Sequence, residues 1–68
     1  MKFVLGATVW IMRSNVPRDG AVIGRQYTQL ETSEDENYLI RYDEDGDIHW
    51  HHGDLLFASR NDLMASLG

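Results

Sequence analysis

The segment DIHWHHGDLL, Asp47 to Leu56, holds all three histidines of the chain, at positions 49, 51 and 52. Imidazole binds zinc or nickel in its neutral form and changes charge near neutral pH. On a strand, His49 and His51 share one face, about 7 Å apart at about 3.4 Å of rise per residue. They are the candidate metal ligands, with His52 or Asp54 as a third from the turn that follows. Structural zinc takes four ligands. The chain has no cysteine and no other histidine, so only a site shared between subunits completes a tetrahedron, and no metal or other cofactor is expected. Ile48 and Trp50 occupy the alternate face and match the apolar side of the preceding strand, so the histidines are expected to point outward.

Other reactive constellations are absent from the sequence. Ser14, Ser33, Ser59 and Ser66 have no histidine beside them, and no catalytic residue is assigned. Asp43, Glu44, Asp45 and Asp47 surround Gly46, but without the twelve-residue loop and closing glutamate of a calcium hand. Gly20 and Gly24 are not followed by the Lys-Ser/Thr of a phosphate-cradling loop.

Six Lys and Arg against eleven Asp and Glu leave a net charge of -5 over 68 residues. Such a field repels phosphate backbones, so direct nucleic-acid binding is disfavoured and a basic partner is attracted. No apolar run approaches the roughly 18 residues of a membrane span, and MKFVLGATVW lacks the h-region of a signal peptide. A cytoplasmic protein with no membrane association is expected. One small cysteine-free domain over residues 1–68 must rely on its aromatics for burial, and self-association into a homo-oligomer would add to it.

The elements that must position these residues follow from patterning. ATVWIM, residues 7–12, is a strand. RSNVPRDG has the turn chemistry of a long hairpin loop. AVIGRQYTQLE is a second strand, with Gly24 permitting a bulge or bend. TSEDEN, residues 32–37, is an acidic loop. YLIRYD is a third strand that points Tyr38, Ile40 and Tyr42 toward the core. EDG, residues 44–46, is a tight turn with glycine at positive φ. DIHWH is a fourth strand, HGD a turn and LLFA a fifth strand. Ser59 and Asp62 are spaced to cap a helix over about 60–67, with Leu63, Met64 and Leu67 as its apolar stripe. The sum is a mainly all-β fold, a small five-stranded SH3-like barrel with a short C-terminal helix.

The run GATVWIM…DGAVIG…YLIRYDEDGDIHWHHGDLLFAS resembles Tudor-type and related SH3-like barrels of bacteria and phages, over roughly Gly6 to Ser59. Several Tudor domains hold methylated Lys or Arg in an aromatic cage beside a carboxylate. The resemblance implies comparable positions for Trp10, Tyr27, Tyr42 and Trp50, with Asp45 or Asp47 nearby. DGAVIGRQYTQLE…YLI…IHWHHGDLL is also similar in spacing to the type II dihydrofolate reductases, SH3-like barrels in which four chains line one pore. Their glutamine and tyrosine for folate and nicotinamide are histidines here. That likeness implies architecture and oligomerisation, not the reaction.

The function expected from these features is a non-enzymatic protein-binding module. Trp10, Tyr27, Tyr42 and Trp50 would form a rim for a basic or partly apolar protein segment, steered by Glu34, Asp35, Asp45 and Asp47. One alternative is an acidic phage or mobile-element inhibitor that occupies a host protein's nucleic-acid-binding groove. The other is a small oligomeric reductase of the type II dihydrofolate reductase kind.

Overall fold

Alternating apolar side chains leave the chain one efficient solution, an antiparallel meander with one buried face. In a computed structural model that describes residues 3–67, the chain forms four strands, a 3-10 turn and a helix. They are β1 (Thr8–Arg13), β2 (Val16–Gln29), β3 (Glu34–Tyr42), β4 (Ile48–His52), the 3-10 turn Gly53–Leu55 and α1 (Arg60–Leu67). The strands form one sheet in the order β1-β2-β3-β4, and each neighbouring pair is antiparallel. Among the described residues, no helix is long and apolar enough to cross a membrane.

The first hairpin is tighter than its composition suggests. Arg13 pairs with Val16, and Ser14 and Asn15 between them have φ of 52° and 65°. Positive φ at both central residues is the mirror-image turn that suits the twist of paired strands. The expected long loop is therefore a two-residue turn. Pro17 lies within β2, where β3 does not reach, since their pairing begins at Gly20; its missing N–H breaks no ladder there.

The register of β2 on β3 shifts between Val22 and Gly24, the bulge expected at that glycine. Beyond it, Glu34 to Asn37 pair with Gln26 to Gln29. The acidic stretch expected as a loop is thus mostly strand, and only residues 30–33 turn, closed by the Leu30 N–H on the Ser33 carbonyl at 2.7 Å.

Val9, Ile11, Val22, Tyr38, Ile40, Tyr42 and Leu56 form the core, with Phe3 and Ala7 packed against it. Tyr38, Ile40 and Tyr42 all face inward, as period two requires. Gly20 allows β2 to approach β3: a Cβ there would lie 2.6 Å from Ile40 Cγ2 and 2.7 Å from the Arg41 carbonyl oxygen.

Two further expectations fail. LLFA is not a fifth strand, because the chain turns through Gly53–Leu55 and only Phe57 returns to the sheet. Phe57 exchanges two backbone hydrogen bonds with Trp10, at 2.8 and 2.9 Å. One bridge does not close a five-stranded barrel. The second failure is the facing of β4. The Tyr42 N–H meets the Asp47 carbonyl across residues 43–46, with Gly46 at φ 75°. That closure pairs Ile40 with His49 and Tyr38 with His51. Cross-strand partners share a face, so His49 and His51 lie on the side of Tyr38 and Ile40, with His49 half exposed at its rim, and Ile48 and Trp50 lie on the other, exposed at 50% and 52%. A one-residue difference in register inverts every side chain.

At the C-terminus the Ser59 hydroxyl accepts from the Asp62 N–H at 3.1 Å and caps α1 as expected. Of the predicted apolar stripe only Leu63 is buried; Met64 and Leu67 are exposed.

Candidate functional site

Arg13 ends β1 in the inward register of Val9 and Ile11, which carries its guanidinium over the Tyr42 ring at 4.2 Å from the centroid. Its Nη1 donates to Glu44 at 2.8 Å and Asp45 at 3.0 Å, and its Nη2 donates to Asp47 at 2.9 Å. Arg18 Nε adds a contact to Glu44 at 2.9 Å. Burial works against the Arg13 charge, but the hydrogen bonds and charges of these carboxylates outweigh it and hold its pKa above the ordinary value. Asp45 lies below the carboxylate range, chiefly through the Asp47 N–H and then through Arg13. Tyr42, Asp45 and Asp47 are thus brought together as a cation site, and the cation is the chain's own.

The inward turn of β4 places the histidines at the same ring. Tyr42 contacts His49 and His51 edge-on, at centroid distances of 6.0 and 5.8 Å. The Tyr42 hydroxyl lies 2.6 Å from His51 Nε2. Burial, then the charges of His49 and Arg13, push the His51 pKa down. Burial first, and the surrounding carboxylates after it, push that of Tyr42 up despite Arg13. Both shifts favour a neutral imidazole accepting from a protonated phenol. His49 Nε2 lies 3.2 Å from Asp47, and the two imidazole centroids are 6.3 Å apart. Among the described residues, no group of three or more His, Asp or Glu is arranged to hold a metal. His49 and His51 both pack against Tyr42, and His51 is also its hydrogen-bonding partner.

The remaining aromatics do not converge on this cluster. Trp10 alternates with buried Val9 and Ile11 and is half-buried beside Phe57. Trp50 lies on the outer face opposite Leu39. Tyr27 stands on the hairpin of β2 and β3 that extends past the core, across from Glu36. No four-ring rim forms.

Tyr27 has its own surroundings. It lines a cleft of about 420 Å³ with Glu34, Asp35, Glu36, His52, Gly53 and Asp54. The ring is 55% exposed. Desolvation, then Glu34 and Glu36, hold its hydroxyl above the tyrosine range. Gly53 forms the floor against the Tyr38 ring, where a Cβ would meet Cε2 at 3.1 Å. Glu36 accepts from the Tyr38 hydroxyl, which anchors one wall to the core. His52 Nε2 lies 3.4 Å from Asp35 and its Nδ1 accepts the Asp54 N–H at 3.2 Å. Four carboxylates and a half-exposed aromatic in one concavity can hold a cation. From the sequence, Tyr27, Glu34 and Asp35 were expected at a binding rim and His52 or Asp54 only as a third metal ligand, while Glu36 had no assigned role. The available signal was the alternation of Tyr38, Ile40 and Tyr42, which continued backward by two and four residues puts Glu36 and Glu34 on the same face.

No protein-family model, curated protein or solved structure matches this chain.

Proposed function

We propose that the domain is a non-enzymatic protein-binding module, related to SH3-like barrels of the Tudor type, whose Tyr27 cleft takes a cationic side chain from a partly apolar protein segment. The observation that carries this reading is the half-exposed Tyr27 ring in one cleft with Glu34, Asp35, Glu36 and Asp54. A lysine or arginine head lies against the ring face through cation–π attraction. The carboxylates add charge-assisted hydrogen bonds. A net charge of -5 steers a basic segment inward and repels nucleic acid. The cluster at Tyr42 is not the pocket, because Arg13 already fills it. Kinship with SH3-like barrels is supported by the return of Phe57 to β1 after a 3-10 turn, at the place of a fifth strand.

Calorimetric titration with a flexible Gly/Ser peptide carrying two lysines tests the reading. Binding is expected for the free lysines and a loss of about tenfold or more on acetylation, the equivalent of one charged hydrogen bond. Tyr27→Ala and Glu34→Gln should weaken binding without unfolding the domain. Equal binding of the acetylated peptide, or no binding by either, overturns it.

A further inference from the structure

The sheet ends at β4, and that edge is open. Among the described residues β4 pairs only with β3. The Tyr42 N–H donates to the Asp47 carbonyl at 2.8 Å, so this is a hydrogen-bonded pair of the antiparallel ladder. By alternation Ile40–His49 and Tyr38–His51 are hydrogen-bonded pairs too. The backbone N–H and C=O groups of Ile48, Trp50 and His52 therefore point away from β3. Such an edge is a template for another strand, and sheets usually blunt it with lysine, proline or a bulge. IHWHH has no lysine or proline, and its register is unbroken. The opposite side of the sheet differs, because Phe57 bonds to the outer edge of β1 at Trp10.

Charge selects what the edge accepts. Asp47 stands just before its first residue, Ile48. Asp35 and Asp54 stand at its end, within 3.4 and 3.5 Å of His52, and the Asp54 side chain is 83% exposed. A second copy paired antiparallel through Trp50 would bring the Asp47 of each chain toward the Asp54 of the other, between two molecules of net charge -5. A cationic strand meets Asp35 and Asp54 at one end and, at the other, the turn of Asp43, Glu44, Asp45 and Asp47, whose four carboxylates exceed the two charges of Arg13 and Arg18. The half-exposed Ile48 and Trp50 supply apolar contact between them.

We infer that the ligand is bound by strand addition: an extended segment pairs with β4, apolar where it faces Ile48 and Trp50 and basic at its ends. Its cation beside His52 enters the Tyr27 cleft, whose wall is His52, Gly53 and Asp54. This inference rests on the cleft reading above and adds the mode of recognition, with main-chain bonds for affinity and alternate side chains for selectivity.

The test uses the capped peptide Lys-Thr-Thr-Val-Thr-Val-Lys, which in antiparallel pairing sets its valines opposite Trp50 and Ile48. The titration is followed by amide NMR on the whole chain. Slowed exchange is expected at Ile48, Trp50 and His52. N-methylation of the three peptide amides that face β4 should weaken binding about tenfold or more. N-methylation of the alternating amides should leave binding unchanged. Tolerance of methylation at both sets overturns strand addition and leaves the cleft reading standing. No binding by this peptide or by the flexible lysine peptide overturns both. Protection of the same three amides in peptide-free protein that sediments as a dimer assigns the edge to a second copy and overturns the inference.

Discussion

The facing of β4 can be tested with one methylene group. Ile40 and Ile48 are the same residue type on adjacent strands, and hydrophobicity alone would bury both. Ile40 is 0% exposed and Ile48 50% exposed. Removing a fully buried methylene costs about 0.8 kcal/mol in transfer free energy, and the cavity left in a packed core brings Ile40→Val to about 1 kcal/mol. At Ile48 half of that transfer already faces water and no enclosed cavity forms. Ile48→Val should therefore cost about 0.4 kcal/mol or less. In a domain of this size 1 kcal/mol moves Tm by about 4–8 °C. Ile40→Val should lower Tm by about that amount, and Ile48→Val by less than half as much. Valine preserves β-branching, so strand propensity is nearly constant across the comparison. Thermal melts followed by circular dichroism, with urea titrations to check that the slope is unchanged, measure both. Equal losses, or a larger loss at Ile48, would mean that β4 pairs in the other register and that the open edge presents the wrong residues.

Other consequences can be measured on the same protein. Gly20→Ala places a Cβ 2.6 Å from Ile40 Cγ2 and 2.7 Å from the Arg41 carbonyl; overpacking of about 1–3 kcal/mol is expected in urea melts, and an unchanged midpoint would contradict the close strand approach. The His51 pKa is lowered in the fold by burial, His49 and Arg13, so the folded state binds this proton less readily than the unfolded chain. Its stabilisation is complete above the unfolded value of about 6.5 and is lost as pH falls through that value toward the folded one. Tm should fall between about pH 7.5 and 5.5, and His51→Gln should flatten that slope; an unaltered slope in the variant refutes the assignment. Ser59→Ala removes the hydroxyl that accepts from the Asp62 N–H and should cost about 1 kcal/mol, with most of it restored by Ser59→Thr.

Local chemistry was legible where neighbours in sequence are neighbours in space. The Tyr38, Ile40, Tyr42 face follows from period two, the cap of α1 from Ser59 and Asp62, the bulge from Gly24, and the turn from Gly46. Arg13 was not legible as the occupant of the Tyr42 site. Its carboxylate partners lie 31 to 34 residues away, and a lone arginine at a strand end has no local signature. Tyr27 was visible as an aromatic near acids. Its separation from Trp10, Tyr42 and Trp50 depends on how far the hairpin of β2 and β3 runs past the core.

Composition and alternation by themselves determine a small, acidic, mainly antiparallel β domain with a short capped helix at its end. Tertiary structure alone decided which face of β4 is wet, how little of the fifth strand pairs, and whose cation sits on Tyr42. The reason is that alternation is a two-valued signal. It says that residues 48 and 50 lie opposite 49 and 51, but their side of the sheet depends on one pairing across a turn. Here the closure of Tyr42 on Asp47 made that choice. The backbone geometry of the turn and the packing of two histidines against a buried tyrosine together outweighed the burial of an isoleucine and a tryptophan.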